Sequence, residues 1–207
     1  MMTNRRGTQI GDAAVDRCWW CGSDPQYIQY HDREWGVPVA DDTRLFEKVC
    51  LEGFQAGLSW LTILRKRDSF REAFDGFDPQ RVCRFDQAKV DQLVNNASIV
   101  RHRGKIRSAI NNAARAIEVG EEFGSLATFL WSFEPKHHRS PKLRSDVNAI
   151  TEESTNLSKA LKKRGWTFVG PTTCFAMMQA MGMVNDHLRT CYCWERIEDA
   201  RKTFVRP

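Results

Sequence analysis

The stretch Leu157-Ser158-Lys159-Ala160-Leu161-Lys162-Lys163-Arg164-Gly165-Trp166-Thr167-Phe168-Val169-Gly170-Pro171 decides how this chain is read. A helical pattern enters it from Ser154 or Thr155 and runs to Arg164. Gly165 stands where a C′ glycine belongs. Gly170-Pro171 then opens a second helix, with Phe175, Met178 and Met181 facing inward. Residues 157–182 thus read as helix, six-residue connection, helix. A glycine at each end of so tight a connection exposes backbone N–H groups near a helix N-terminus. Those donors and the helix dipole favour a phosphate, and Lys162, Lys163 and Arg164 stand beside them. This is the layout of a helix-hairpin-helix, which grips DNA backbone without reading sequence. The same residues also fit an ordinary helical corner with a solvated lysine face.

Outward from this hairpin the periodicity stays helical, with no run of alternating apolar and polar residues bounded by hairpin turns. Leu45, Phe46, Val49 and Cys50 share one helical face, interrupted at Gly53 and Gly57. A further helix runs through Trp60, Leu61 and Leu64 toward Phe70 and Phe74. Asp78-Pro79, Asp86 and Ser125 are N-cap signals. Residues 103–119 predict a longer helix with Ile106, Ile110, Ala113 and Ile117 inward. Residues 134–153 break the pattern and read as a solvated polar connection, His137 and His138 included. A basic strip, Arg101-His102-Arg103-Gly104-Lys105 with Arg107 beyond, leads into the long helix and is a second candidate for phosphate contact.

The chain has 207 residues, 42% hydrophobic and 28% charged, enough for one substantial core or two small lobes. No apolar run approaches the roughly 20 residues of a membrane span. The first 17 residues, Arg5-Arg6-Gly7 among them, lack the apolar core of a secretory signal and read as a tail. Seven cysteines, an odd number, point away from a secreted disulfide framework and toward a reducing compartment. A net charge of +5 hints weakly at a polyanionic partner.

Two features carry chemistry. Cys18 and His31 near one end, and His187 and Cys191 near the other, form a Cys2His2 set if they meet, the donor set of a closed zinc site. The spacing of His187 and Cys191 suggests one face of a helix. Cys21, in Cys18-Trp19-Trp20-Cys21, and Cys193 compete as ligands. The second feature is Glu52, in Cys50-Leu51-Glu52-Gly53-Phe54-Gln55-Ala56-Gly57-Leu58-Ser59-Trp60. A carboxylate in such company is costly to bury unless paired. With Trp20, Tyr27, Tyr30, Trp35 and Trp60 nearby in sequence, it suggests an aromatic pocket for a flat, donor-rich ligand. The competing reading is a helix-surface glutamate beside core aromatics.

Taken together, these segments resemble the 3-methyladenine DNA glycosylase I family. The resemblance runs from about Arg17 to Cys193. It rests on Cys18 to Pro38 (with Tyr30-His31-Asp32-Arg33-Glu34-Trp35-Gly36), Leu51 to Trp60, Ile99 to Ile106, Phe129 to Phe133, Ser158 to Gly170, and Val184-Asn185-Asp186-His187. It implies an all-α DNA repair enzyme of the helix-hairpin-helix glycosylase fold, with one structural Zn2+ joining the N- and C-terminal segments. The implied metal ligands are Cys18, His31, His187 and Cys191, and the implied base pocket is Glu52, Tyr30, Trp60, Tyr27 and Trp20. Glu52 is the implied catalytic residue. Lys162, Lys163, Arg164, Gly165 and Gly170 are the implied DNA-backbone contacts.

The expected organisation is a tail at 1–17, one helical domain at 18–194 with its hairpin at 157–182, and a tail at 195–207. The expected activity is hydrolysis of the N-glycosidic bond of 3-methyladenine in double-stranded alkylated DNA. Base flipping, release of the free base and no strand cleavage go with it. The expected protein is a cytoplasmic monomer without a membrane partner. Superfamily relatives use an aspartate to assist bond breakage, a role that the resemblance does not assign to Asp186. The alternative is a non-catalytic, zinc-containing helix-hairpin-helix DNA-binding protein.

Overall fold

The computed structural model describes residues 8–10 and 15–207. Arg5-Arg6-Gly7 and most of the remaining tail lie outside the described residues. The described chain is mostly helical. Two three-residue strands, β1 (Thr8–Ile10) and β2 (Asp16–Cys18), pair antiparallel with Thr8 opposite Cys18. They are too short to leave an alternating pattern in the sequence.

The helices begin where side chains can satisfy their first amides. Asp24 caps α1 (Pro25–Arg33), accepting from the amides of Gln26 and Tyr27, with Pro25 in the first position. Asp41 caps α2 (Asp42–Gln55). Gly53 remains inside that helix, and packing explains it: a Cβ there would sit 3.3 Å from the Cβ of Phe168 on the hairpin. Ser59 caps α3 (Trp60–Arg65), followed by α4 (Arg67–Ala73). Asp78 and Asp86 cap α5 (Pro79–Val82) and α6 (Gln87–Asn95) as expected. The long helix α7 spans Arg103–Phe123 and α8, capped by Ser125, spans Leu126–Trp131. Its inward face differs from the expected one. Ile106, Ala109, Ala113, Ala116 and Val119 are buried, while Ile110 and Ile117 are half-buried. Alanines at the centre of the face let α2, α5 and α8 pack closely against it.

The core is rich in phenylalanine. Phe46, Phe54, Phe70, Phe74 and Phe77 are fully buried, each contributing about 1.5–3 kcal/mol, and Phe74 stacks on Phe77. Helix α9 (Glu152–Lys163) and α10 (Pro171–Ala180) bracket the hairpin. Gly165 is left-handed, at φ 81°. Trp166 N–H donates to Leu161 O and Gly165 N–H to Lys162 O, a two-bond C-terminal cap. The hairpin then docks on a polar patch of α7: Thr167 N–H donates to Asn112, while Asn112 and Ser108 donate to Thr167 O.

Residues 195–207, expected at the periphery, begin within α11 (Trp194–Thr203), whose Ile197 is fully buried. Arg201 and Arg206 pair with Glu134. No described helix is long and apolar enough to cross a membrane.

Candidate functional site

The ends of the chain meet at a buried cluster of Cys18, His31, His187 and Cys191, whose donor atoms lie within 4.8 Å of one another. Cys18 ends β2, and His31 lies in the last turn of α1. His187 and Cys191 belong to an irregular segment between α10 and α11, which corrects the expectation of one helical face. The turns do the same job, bringing Cys191 Sγ within 3.5 Å of His187 Nδ1.

The donor geometry suits a metal. His187 Nδ1 is 3.6 Å from Cys18 Sγ, and His31 Nε2 is 3.5 Å from Cys191 Sγ. A tetrahedral ion with bonds of about 2.0–2.1 Å to nitrogen and 2.3 Å to sulfur has N···S edges of about 3.5 Å. Each imidazole turns its other nitrogen to an acceptor, His31 to Asp32 at 2.8 Å and His187 to Trp35 O at 3.0 Å. This is how outer partners fix a ligand's tautomer. Burial holds His187 as a neutral imidazole, pushed down to about 3. Of the competing thiols, Cys193 forms a second group with His31 and Asp32 whose donor atoms also lie within 4.8 Å of one another, outside the four-residue set. Cys21 donates to Cys18 O, and burial pushes it up to about 11. Cys193 packs beside Asp32 O and is pushed up to about 12 by its hydrogen bond with Cys191 and by burial.

A cavity of about 180 Å³ opens beside this cluster. Glu52, Tyr30, Trp60, Tyr27 and Trp20 all line it, with Trp35, Gln55, Gln179 and Asp186. Spacing explains the convergence. Tyr27, Tyr30 and His31 sit at i, i+3 and i+4 of α1, so one helix face carries both tyrosines and a histidine of the cluster. Trp20, in the turn after Cys18, contacts Tyr27, Trp35 and the His31 ring, joining the cavity to the cluster. Trp60 opens α3 and packs against Tyr30 at 5.5 Å. Its indole N–H is buried without a protein acceptor.

Glu52 is 6% exposed, so it is not a helix-surface residue. Its partner is Lys48, one turn earlier on α2, with Nζ 2.7 Å from Oε1. The reading of the sequence missed Lys48. The i, i+4 spacing to a carboxylate in an apolar stretch was the available signal. Burial pushes the Lys48 ammonium below its ordinary range, with Glu52 opposing. Burial also raises the phenols of Tyr30 and Tyr27, the latter to about 12, so both are neutral hydroxyls.

His138 is not simply solvated. Its Nε2 lies 2.9 Å from Asp186 Oδ1, while Gln179 donates to Oδ2. The basic strip is largely spent inside the fold. Lys105 is buried and donates to the carbonyls of Phe54 and Ala56 at the end of α2. Arg103 pairs with Asp91, and Arg107 donates to Gln87. At the hairpin, Lys162 and Lys163 are exposed. Arg164 pairs with Glu122 and lies over Phe123 and Phe129. Gly170, at φ −65°, caps α10.

Comparison with known proteins agrees across the chain. Residues 20–194 match the methyladenine glycosylase family. DNA-3-methyladenine glycosylase 1 of Escherichia coli (strain K12) is 47% identical over 183 residues, 87% of this chain and 97% of that one. A crystal structure of 3-methyladenine DNA glycosylase I superposes with a TM-score of 0.81 at 46% identity, covering 86% of this chain and 98% of that one. A single-residue variant of 3-methyladenine DNA glycosylase I, crystallised with 3-methyladenine, superposes at 0.82 with 36% identity, covering 86% and 97%. The chain belongs to the methyladenine glycosylase family.

Proposed function

We propose that the protein is a DNA repair glycosylase that hydrolyses the N-glycosidic bond of 3-methyladenine in alkylated duplex DNA. The observation that carries this reading is the Glu52 carboxylate on the wall of an aromatic cavity, in a family with a relative crystallised with 3-methyladenine. At about 180 Å³ the cavity is smaller than the roughly 300–1,000 Å³ of pockets for drug-sized ligands. It suits one flat heterocycle.

The nucleotide flips out of the duplex and its base enters the cavity walled by Tyr30, Trp60, Tyr27 and Trp20. Methylation at N3 makes the base cationic and a good leaving group, so strong protonation by an acid is unnecessary. Glu52 accepts a hydrogen bond from the base edge, most simply from the exocyclic amine. The C1′–N9 bond breaks with its electron pair going to the base. Water adds to the oxocarbenium-like sugar and loses a proton. No lysine lines the cavity among the described residues, and in this reading the strand stays intact.

Cys18, His31, His187 and Cys191 hold one Zn2+, which with four protein ligands is structural and ties the chain ends together. The helix-hairpin-helix at 157–182 contacts DNA phosphates through Lys162, Lys163 and the backbone from Gly165 to Gly170. Arg164 contributes less because Glu122 holds it. The protein acts as a monomer in this reading, and seven free thiols fit a reducing cytoplasm.

Chromatography of the bases released from methylated duplex DNA tests the reading. Free 3-methyladenine with the strand uncut is expected. Duplex binding without base release would overturn it in favour of a DNA-binding module.

A further inference from the structure

Three residues of the proposed base pocket share a contact that the reading above leaves unused. An ammonium has three N–H donors and no acceptor. Around the Lys48 ammonium stand Glu52 Oε1 at 2.7 Å, Tyr30 Oη at 2.9 Å and the Trp60 ring, 3.4 Å to its centroid. Each donor therefore has a partner. Lys48 is 5% exposed. It lines a small recess behind Tyr30 and Trp60, not the 180 Å³ cavity itself. A ligand in the cavity does not touch it. Around the recess Arg67 pairs with Glu34 and Arg71 with Glu47, and Arg44 also lines it.

We propose that Lys48 is a specificity-determining positioning residue that sets the hydrogen-bond pattern and net charge of the base pocket through Glu52 and Tyr30. The proposal rests on the functional reading above. Glu52 gives Oε1 to Lys48, and no other protein partner of its carboxylate occurs among the described residues. Oε2 is then the oxygen presented to a ligand, a single acceptor in a fixed place. Tyr30 Oη accepts from Lys48, so its own O–H points to a different acceptor, and none occurs among the described residues. Through Lys48, Glu52 and Tyr30 thus contribute one acceptor and one donor. The Lys48–Glu52 pair is also neutral, because the ammonium cancels the charge of the carboxylate. A bare buried carboxylate would attract any cation of suitable size. A compensated one selects by the placement of N–H donors, and it can hold the neutral released base as well.

A double-mutant cycle tests this, with free 3-methyladenine titrated into the wild type, Lys48→Met, Glu52→Gln and the double variant. Lys48→Met is expected to lose about ten- to a hundred-fold in affinity, as for a disrupted charged hydrogen bond. Metal content and duplex binding are expected to stay unchanged. Adding Lys48→Met to Glu52→Gln is expected to change affinity by less than about threefold, because residues that act through one another are not additive. If Lys48→Met does not fold, the Glu52→Gln and double-variant pair carries the same test, since the double variant leaves no buried charge unpaired. An undiminished affinity in Lys48→Met, or the same loss in both backgrounds, would overturn the proposal while leaving the functional reading intact. A wild type that does not bind 3-methyladenine would overturn the functional reading, and this proposal with it.

Discussion

Two buried polar clusters lie side by side near Trp20, and they are built for opposite ends. In the cluster of Cys18, His31, His187 and Cys191, two sulfurs and two ring nitrogens face one another and the outer nitrogens of both histidines are spent on Asp32 and Trp35 O. Nothing is left over for a ligand. In the Lys48–Glu52 cluster the ammonium is saturated by the protein, but the carboxylate keeps one oxygen for a cavity. A closed set of donors holds a fold together. A set left one partner short recognises something. The comparison predicts that damage to the first cluster shows mainly in stability and damage to the second mainly in ligand affinity.

The largest effect belongs to the closed cluster. Cys191→Ala removes one of four ligands, and loss of a structural metal is among the few changes that cost more than about 4 kcal/mol. Metal analysis should find one zinc per wild-type chain and none in the variant, with a much lower midpoint in denaturant. A variant that loses its zinc and unfolds like the wild type would break the comparison outright.

Gly182→Ala should come next. Gly182 is left-handed, at φ 76°, and a Cβ would lie 2.5 Å from Pro38 N and 2.7 Å from Gly36 O. Backbone atoms cannot rotate aside. A cost of about 3 kcal/mol is expected from overpacking and strain together. A Cβ on Gly36 would itself lie 3.4 Å from the His187 ring, so the damage falls on the framework beside the cysteine–histidine cluster. Urea unfolding measures it, and a variant of unchanged stability would show that this neck gives way freely.

Glu52→Gln sharpens the other side. The amide keeps an acceptor for Lys48 but lacks the charge, so stability should fall by only about 1–3 kcal/mol. Zinc and duplex binding should be retained. Affinity for free 3-methyladenine should fall by about 1.5–3 kcal/mol, roughly ten- to a hundred-fold. Excision should fall less, since the alkylated base leaves readily. Equal affinity in the two proteins, read by titration, would move base recognition elsewhere among the aromatics.

The two clusters also differ in how far they can be read from sequence. Cys18, His31, His187 and Cys191 are rare residue types, so their chemistry announces itself, even though the turns that hold the last two look like a helix in spacing. Glu52 stands out because its neighbours are apolar. Lys48 does not, because a lysine after Glu47 looks like solvated surface until Tyr30 of α1 and Trp60 of α3 close over it. His138 against Asp186, and Lys105 on the end of α2, were hidden for the same reason. Each partner comes from a distant element, and pairings of that kind leave no period in the chain. The hairpin was legible because Gly165 must be left-handed for α9 to end as it does. Its seat on Asn112 and Ser108 was not, since two polar residues inside a long helix pattern look like its wet side.

The smallest effect is expected where charge is exposed rather than buried, and it separates neighbouring residues of the hairpin. Lys162 and Lys163 are open to solvent, whereas Arg164 is held by Glu122 at 2.8 Å and lies over two phenylalanine rings. Each phosphate that a protein cation neutralises contributes about 0.9 to the slope of log affinity against log salt. Lys162→Ala with Lys163→Ala should therefore flatten the slope for any duplex by up to about 1.8, with no change in affinity for the free base. Arg164→Ala should leave the slope nearly unchanged, because its charge is already matched within the protein. Fluorescence titration of unmodified duplex across a range of salt decides the matter. An equal flattening by Arg164→Ala would mean that DNA displaces Glu122 and draws the arginine across. The resting geometry of the hairpin would then be a poor guide to its bound one.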